Sequence, residues 1–279
     1  QKEMQMSAVM KSGVQPHNEK AAATWSAPGD LYDDISRGLA GAIDHCINRL
    51  RIGPRDKVLD LACGTGWASR TIAQMGKGAQ LFGVDIASGL VESAKRIAKS
   101  SGLAIEYEVG DAERLPYEDD SFDAVISSFG IMFASKPEAA AGELTRIVRK
   151  GGRFGILVWK PDSTVFEMFK VMKPYLPVPP TPAPSPFAWG TRERIRELLG
   201  TRWELGFEEG VSPFLAASPE AAWELWTSIY GPTKMLAANL PPERRAQFRK
   251  DMIAFHGLFK TELGVLKPRH YLLAVGVRA

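Results

Sequence analysis

The chain has 279 residues, of which 45% are hydrophobic and 24% charged, and its formal net charge is only +3. This composition predicts a globular chain large enough for one domain with an elaborate insertion, and the balanced charge, without a dense run of Lys or Arg, argues against a nucleic-acid partner. No apolar run reaches the roughly 18 residues of a membrane span. The N-terminus lacks the apolar core of a signal peptide, and two cysteines, Cys46 and Cys63, fit a reducing, cytoplasmic setting.

The N-terminal region divides into an arm and a helix. Residues 1–24 show no strong periodicity, and we expect a flexible arm there. Over residues 30–50, apolar side chains recur at intervals of four and three, which predicts one amphipathic helix. The side chains that set this pattern are Leu31, Ile35, Leu39, Ile43, Ile47 and Leu50.

The most informative motif is VLDLACGTG at residues 58–66. An apolar run that ends in Asp60 and breaks into Gly-x-Gly is typical of a buried strand that leads into a helix, here predicted over residues 67–75. Gly64 and Gly66 permit backbone angles that other residues avoid, and they let a ligand approach the main chain. The motif therefore predicts a nucleoside site.

A second strand, over residues 79–85, ends in Asp85, which is placed to accept hydrogen bonds from ribose hydroxyls. Two features disfavour a dinucleotide. Ser69 stands where the third glycine of a dinucleotide fingerprint would fall, and the charge of Asp60 would oppose a pyrophosphate. S-adenosylmethionine, which carries an ammonium and a sulfonium but no phosphate, suits the site better than a nicotinamide cofactor.

Three further segments continue the alternation of strands and helices. Residues 105–109 alternate like a strand and lead into Gly110-Asp111-Ala112, where a short polar side chain can meet the amine of adenine. Residues 115–128 form an acidic turn and a fourth strand that ends at Ser128. Residues 143–157 predict a helix, a Gly-Gly turn and a fifth strand. Since ligands in such sheets bind at the carboxyl ends of the strands, these strand ends should meet at one site.

These five motifs, in this order, resemble those of class I S-adenosylmethionine-dependent methyltransferases, in the group that includes ubiquinone/menaquinone C-methyltransferases. The resemblance covers residues 58–159. It implies an α/β, Rossmann-like fold, with a seven-stranded, mostly parallel sheet, helices on both faces and an antiparallel last strand beside the fifth. It also implies a helical cap inserted before that last strand.

The domain organisation follows from the same comparison. We predict a cofactor-binding core over residues 25–160, a Pro-rich connection over 161–190, and the rest of the sheet over 191–279 with a cap at about 212–267. Residues 174–186 contain seven prolines and cannot form a regular helix. The sixth and seventh strands are expected at 203–211 and 269–277. Cap helices are expected to begin near Ser218 and Pro241.

The resemblance assigns cofactor roles to the strand ends and to two aromatic residues near the N-terminus. We expect Asp60 to orient the ammonium, Asp85 to hold the ribose, and Asp111 to meet the adenine. The alternatives are a plain turn at the glycines, a helix cap at Asp85, a turn at Asp111, and simple packing of the two aromatic side chains. The full set is Trp25, Tyr32, Asp60, Ala62, Gly64, Thr65, Gly66, Asp85, Ile86, Gly110, Asp111, Ala112, Ser128 and Phe129.

The catalytic and acceptor-binding groups are less clearly encoded. Of the four histidines, His256 in the predicted cap is the best candidate for a general base, against a packing role. Trp189, Trp226 and Tyr230 are candidates for an aromatic acceptor cleft, against membership of an ordinary core. No metal site is predicted.

The sequence thus predicts methyl transfer from S-adenosylmethionine to O, N or C of a small, fairly apolar molecule. Two alternatives stay open: a nicotinamide-dependent oxidoreductase, and a non-catalytic protein that keeps the S-adenosylmethionine pocket as a partner subunit. The oligomeric state is not indicated by the sequence.

Overall fold

The computed structural model describes residues 13–76, 78–177 and 184–279. Its centre is one mixed sheet in the order β3-β2-β1-β4-β5-β8-β6, with the short β7 paired to β8. Its strands are β1 (Lys57–Leu61), β2 (Gln80–Asp85), β3 (Glu106–Val109), β4 (Phe122–Ser128), β5 (Val148–Trp159), β6 (Trp203–Ala216), β7 (Lys260–Thr261) and β8 (Gly264–Arg278).

The strand directions confirm the predicted fold class. β1 pairs in parallel with β2 and β4, β2 with β3, and β4 with β5. β8 is antiparallel to both of its long neighbours and lies between β5 and β6. The strand not foreseen is the two-residue β7, which pairs with the start of β8.

Helices flank the sheet because its central strands are apolar on both faces. Leu59, Ile126 and Ile156 of the central strands are fully buried, as expected for parallel strands covered on both sides. The helices are α1 (Glu19–Ser26), α2 (Asp33–Arg37), α3 (Ala40–Leu50), α4 (Trp67–Gln74), α5 (Ser88–Ser100), α6 (Pro137–Ile147), α7 (Thr164–Met172), α8 (Arg192–Leu199), α9 (Pro219–Ile229), α10 (Gly231–Asn239) and α11 (Pro242–Gly257).

The N-terminal region differs from the expected flexible arm where the structure describes it. Residues 1–12 of the predicted arm lie outside the described residues. From Pro16 the chain is helical, first as the 3₁₀ turn Pro16–Asn18 and then as α1. Asn18 is only 3% exposed and is hydrogen-bonded to Asp111, so this segment packs on the core. The contact is long-range, which is why local periodicity did not reveal it.

The helix predicted over residues 30–50 is interrupted. α2 ends at Arg37 and α3 begins at Ala40. Between them the carbonyl of Gly38 accepts a hydrogen bond of 2.7 Å from Nη2 of Arg269 and one of 3.3 Å from the Ser212 hydroxyl. A carbonyl held by two residues from β6 and β8 is not available to continue the helix.

The cap is built on two long strands as well as on helices. β6 and β8 continue past the other strands, and their pairing extends to Phe214↔Lys267 and Ala216↔Val265. Helices α9 to α11 pack at this end, within the predicted cap limits of 212–267. Ser218 caps α9 by accepting from the amide of Ala221, and α11 begins at Pro242, as predicted.

The predicted Pro-rich connection is only partly described. Residues 178–183 lie outside the described residues. On either side of them are short 3₁₀ turns, Lys173–Tyr175 and Pro186–Gly190. The segment also contains α7, which the sequence analysis missed and whose hydroxyl cap is Ser163.

Candidate functional site

A cavity of about 1060 Å³, counting its open mouth, lies at the carboxyl ends of β1, β2 and β4. Twelve of the fourteen predicted cofactor residues line it. They are Trp25, Tyr32, Asp60, Ala62, Gly64, Asp85, Ile86, Gly110, Asp111, Ala112, Ser128 and Phe129. The wall also includes Asn18 and Glu113, which the sequence analysis did not select.

The glycine loop bends over the end of β1 in a left-handed conformation. Gly64 and Gly66 have φ of 56° and 79°, and Ala62 has φ of 55°. Gly64 lines the cavity, and its amide donates a 2.8 Å hydrogen bond to Asp85. The loop is therefore held by the acid that the sequence assigned to the ribose.

Gly66 and Thr65 lie behind the loop and not on the cavity wall. A Cβ at Gly66 would collide with the hydroxyl of Tyr107. The Thr65 hydroxyl is buried and donates to Asp33 of α2 at 2.7 Å. The structure thus does not place these two predicted cofactor residues in the cavity lining.

Asp60 anchors the start of α4. Its Oδ2 accepts from the amide of Ser69 at 2.9 Å and from the Ser69 hydroxyl at 2.8 Å. Burial raises the pKa of Asp60 to about 7, against the opposing effect of these two hydrogen bonds. Ser69, which the sequence analysis used only as a missing glycine, thus has a role of its own.

Asp85 at the end of β2 is buried, and its two oxygens face backbone donors. One accepts from Gly64, and the other accepts from the amide of Ala87 at 2.8 Å. Burial raises the pKa of this carboxyl. Because it borders the cavity, it has lone pairs to offer a ligand's hydroxyl groups.

Asp111 is joined to the N-terminal segment. It accepts from the Asn18 amide group at 2.9 Å and from the backbone of Gln15 at 3.2 Å. The neighbouring Glu113 contacts His17 at 2.7 Å. Burial alone would raise the pKa of Glu113, but hydrogen bonds from His17 and other donors hold it below its usual value. The N-terminal segment therefore closes this side of the cavity.

The end of β4 provides the opposite wall. The hydroxyl oxygen of Ser128 is buried and has no hydrogen-bond partner among the described residues. Phe129 has φ of 59°, and its ring stacks on Trp159 with centroids 3.9 Å apart. A Cβ at Gly130 would strike Ala62 of the glycine loop, so a glycine is required where these loops meet. Ser128 also lines the cavity, so a ligand there would lie near this unpaired hydroxyl.

Aromatic rings form the mouth of the cavity. Trp25 packs edge-on against Phe133, with centroids 5.0 Å apart, and against Tyr32, at 6.2 Å. Tyr32 also lies under the glycine loop, close to Gly64. Tyr230 of the cap packs on Trp25 at 5.4 Å, from outside the lining. Tyr230, a predicted acceptor-binding residue, is thus separated from the cavity by the ring of Trp25.

The other predicted catalytic and acceptor residues are not brought to the cavity. Trp189 is buried in the main core and Trp226 in the core of the cap. His256 is fully buried in α11, with Nδ1 2.8 Å from the Met252 carbonyl. Burial, followed by the charge of Lys267, lowers the pKa of His256 to about 4. A histidine away from the cavity wall, whose lowered pKa makes it a weak base, does not fit the predicted general base.

Neither a metal centre nor a membrane-spanning helix is found among the described residues. Within them, no group of three or more His, Cys, Asp or Glu side chains is arranged to hold a metal ion. In the same ranges, no helix is long and apolar enough to cross a bilayer.

Comparisons with known proteins agree with this geometry. Residues 59–156 match the model of a methyltransferase domain family. An uncharacterised protein of Mycobacterium tuberculosis is 32% identical over 192 residues, covering 65% of this chain and 66% of the relative. A ubiquinone/menaquinone biosynthesis C-methyltransferase of Chromobacterium violaceum is 35% identical over 160 residues, covering 54% of this chain and 66% of the relative.

A solved structure extends the likeness beyond the core. The YcgJ protein of Bacillus subtilis superposes with a TM-score of 0.62 at 18% identity, covering 86% of this chain and 98% of that one. At this identity the likeness shows the fold alone. The alignments with the curated relatives named above span just under two thirds of those proteins' length.

The chain therefore carries a class I S-adenosylmethionine-dependent methyltransferase domain, as its five motifs predicted. The cofactor of this class is S-adenosylmethionine. Twelve of the fourteen residues predicted to bind it line the cavity.

Proposed function

We propose that this protein transfers a methyl group from S-adenosylmethionine to a small, fairly apolar acceptor. One observation carries the proposal: the cavity unites the glycine loop, two strand-end acids and an unpaired buried hydroxyl in the methyltransferase domain. The unpaired Ser128 oxygen is a feature that a bound cofactor would complete.

The residues fit S-adenosylmethionine group by group. Asp85 is placed for the ribose hydroxyls, with Ile86 beside it for the adenine face. Asp111 and Ala112 border the region assigned to the adenine edge, and Asp60 lies under the loop that would receive the methionine part. When bound, the cofactor supplies a methyl group already activated on a positively charged sulfur.

The protein's own contribution is alignment and exclusion of water. The N-terminal segment, latched through Asn18 to Asp111, covers one side of the cavity, while Trp25 and Phe133 narrow its mouth. A closed, aromatic site fixes an acceptor in line and keeps out competing water. Because His256 is away from the cavity wall, the proposal gives it no role as a general base.

The relatives favour a ring or enol carbon as one candidate target. The Chromobacterium violaceum relative is named as a quinone-biosynthesis C-methyltransferase, and a Thermus thermophilus relative, 37% identical over 105 residues, as a demethylmenaquinone methyltransferase. The aromatic mouth formed by Trp25, Tyr32 and Phe133 suits a flat, apolar acceptor.

The cellular setting and partners belong to the same proposal. Cys46 and Cys63 are both buried and unpaired, which supports a reducing, cytoplasmic location. The low net charge supports a small-molecule acceptor over a nucleic acid.

Calorimetry with S-adenosylhomocysteine and with NAD and NADP tests the cofactor assignment. We expect S-adenosylhomocysteine to bind with a micromolar or tighter Kd and the nicotinamide cofactors not to bind. Release of S-adenosylhomocysteine in the presence of phenols, quinols and amines then tests turnover. Binding of a nicotinamide cofactor alone would reverse the assignment, and binding without turnover on any acceptor would favour a non-catalytic partner protein.

A further inference from the structure

The inner face of the cap strands carries two buried basic side chains. Lys267 and Arg269 alternate with outward residues along β8, so both point to the same side of the strand. Lys267 is 0% exposed and Arg269 3%. Buried cations need an explanation because removing a charge from water is costly unless an opposite charge replaces the solvent.

Aromatic faces surround the amine of Lys267. Its Nζ lies 5.1 Å from the ring centre of Phe214, 5.1 Å from that of Phe255 and 5.4 Å from that of Trp226. The one hydrogen-bond contact recorded for it among the described residues is the sulfur of Met168, at 3.9 Å. Ring faces and a thioether stabilise a cation only partly, so the ammonium lacks a full set of acceptors.

Two more polar atoms in the same cluster are unpaired. Nε1 of Trp226 and Nε2 of His256 are buried without a hydrogen-bond partner among the described residues. Because Nδ1 of His256 faces the Met252 carbonyl, it carries the proton, and Nε2 is left as an acceptor. The rings of His256 and Trp226 both pack on Phe214, with centroids 5.8 Å and 5.2 Å away.

No acid compensates this positive charge in the described part of the chain. Arg269 donates to backbone carbonyls, at 3.1 Å to Ser212 and 2.7 Å to Gly38, and not to a carboxylate. No ion pair involves Lys267 within these residues either. The interior of the cap is therefore electropositive, with two unmatched donors and one unmatched acceptor around an aromatic box.

The cluster is one layer of rings away from the cofactor cavity. Trp226 packs edge-on against Tyr230 at 5.0 Å, and Tyr230 packs against the cavity residue Trp25 at 5.4 Å. On the other side, the Arg269 guanidinium lies 5.5 Å from the ring centre of Trp159, which stacks on the cavity residue Phe129. A shift of these rings would join the two spaces.

We propose that the Lys267 cluster is the recognition site for an oxyanion, a carboxylate or phenolate, carried by the apolar acceptor. The inference rests on the proposed methyl transfer and names its substrate class. Lys267 and the indole N–H of Trp226 donate to the anion, Nε2 of His256 accepts from a neighbouring hydroxyl, and the rings hold the acceptor's apolar frame. In the structure described here the rings close the site, and acceptor binding opens it.

The charge of Lys267 sets the pH at which the site works. Burial, followed by the repulsion of Arg269, lowers the pKa of Lys267 to about 7. The groups that face Lys267 from other elements add no charge near neutral pH. They are His256, which is neutral above its pKa of about 4, and the uncharged Met168, Trp226 and Phe214. Anion recognition should therefore be strong at about pH 6 and fade at about pH 9.

Paired probes that share a ring system, one anionic and one neutral, test the proposal without knowledge of the natural acceptor. The protein saturated with S-adenosylhomocysteine is titrated by calorimetry at about pH 6 with 2-naphthoate and 2-naphthamide. A second pair, 2,4-dinitrophenolate and 2,4-dinitroanisole, distinguishes a phenolate from a carboxylate source. We expect at least one anion to bind about tenfold or more tightly than its neutral partner, with the preference lost at about pH 9.

Two variants assign the preference to one residue. Lys267→Met removes the charge with a flexible side chain one heavy atom shorter, and should remove the anion preference while leaving S-adenosylhomocysteine affinity within about twofold. Lys267→Gln serves the same purpose if the Met variant does not fold. Lys260→Met, on the exposed β7 strand, is the matched control and should keep the preference.

The proposal is overturned by any of three results: the anion and its neutral partner bind equally in both pairs, no probe binds, or the anion preference survives in Lys267→Met. The cluster would then be a site for ordered water. Loss of S-adenosylhomocysteine binding in the wild type would instead refute the proposed function itself.

Discussion

The cofactor edge of the sheet and the interior of the cap treat buried polar groups in opposite ways. At the cofactor edge, Asp60 and Asp85 are buried acids whose oxygens accept hydrogen bonds from nearby backbone amides and, for Asp60, from a hydroxyl group. In the cap, Lys267 is a buried base with aromatic rings around it and no acid within reach in the described chain. The first region is complete without a ligand apart from Ser128, whereas the second is visibly incomplete.

This difference indicates two roles: the cofactor edge is a preformed scaffold for the methyl donor, and the cap interior is a selector of the methyl acceptor. The acids at the strand ends fix loop geometry, so the cofactor finds a site that is already formed. The cap buries positive charge without an opposite charge, and the free-energy cost of that burial falls only when an anion binds. Methyl donor and methyl acceptor would thus be recognised by different physical means, and variants in the two regions should fail in different ways.

The largest effect is expected at Gly66, where the cofactor edge is most tightly packed. A Cβ there meets the Tyr107 hydroxyl, and φ of 79° is unfavourable for alanine. Gly66→Ala should therefore lower the free energy of unfolding by about 3 kcal/mol, measured by urea denaturation.

Gly102→Ala is the control for that prediction. Gly102 also has positive φ, 66°, but a Cβ there meets nothing within 4 Å. Its cost should be limited to backbone strain of about 1 kcal/mol. If both alanines cost the same, Tyr107 simply moves aside, and the cofactor edge is less rigid than the contrast with the cap requires.

A second variant tests the cofactor edge through binding. Asp85→Ala removes the acceptor of the Gly64 and Ala87 amides together with the predicted ribose contact. We expect S-adenosylhomocysteine affinity to fall by about 1–3 kcal/mol, roughly 5- to 150-fold, by calorimetry. Asp44→Ala, an exposed position on α3, should leave affinity unchanged. An unaltered Kd for Asp85→Ala would remove this acid from the site.

The motifs made the cofactor edge predictable, and the reason is that its residues are close in sequence to the strand ends. Asp85 ends β2, and Gly64 and Asp111 come within three residues of the ends of β1 and β3, so strand order alone brings them together. Thr65 and Gly66 belong to the same motif, but the direction of the Thr65 hydroxyl depends on Asp33, and the space beside Gly66 is filled by Tyr107, both from elsewhere in the chain. Periodicity does not encode such contacts.

The cap resisted prediction because its contacts are long-range. His256 drew attention as a histidine between aromatic residues, yet only the fold shows that it is buried beside Lys267 and away from the cavity. Lys267 itself gave no signal, since one lysine in a polar stretch is ordinary. The burial of Val265, Lys267 and Arg269 on one side of β8 is seen only in the fold.

The pH dependence of stability tests the cap without any ligand. The pKa of Lys267 is about 7 when folded and near 10.5 in an unfolded chain, so between these values the unfolded state binds more protons. Stability should therefore rise with pH above about 7, by up to about 1.4 kcal/mol per pH unit from this group. The contribution of Lys267 is the difference in the free energy of unfolding between wild type and Lys267→Met, measured by urea denaturation from about pH 6 to 9. Asp60 and the other titrating groups are common to both proteins, so their contributions cancel in this difference. Parallel curves would mean that Lys267 keeps a solvent-like pKa and that the cap interior is not electropositive in the way its geometry indicates.

The smallest effect is expected at the latch, the contact between His17 of the N-terminal segment and Glu113 at the cofactor edge. His17 contacts Glu113 at 2.7 Å, but its side chain is 34% exposed and Glu113 keeps another donor in the amide of Lys136. His17→Ala should therefore weaken closure by only about 0.5–1 kcal/mol, seen as a two- to fivefold faster release of S-adenosylhomocysteine in stopped-flow measurements. Lys20→Ala, on the exposed side of α1, should leave the release rate unchanged. Because the latch belongs to the preformed region, its loss should speed release without altering which acceptors are chosen; a changed acceptor preference in His17→Ala would break the separation between scaffold and selector.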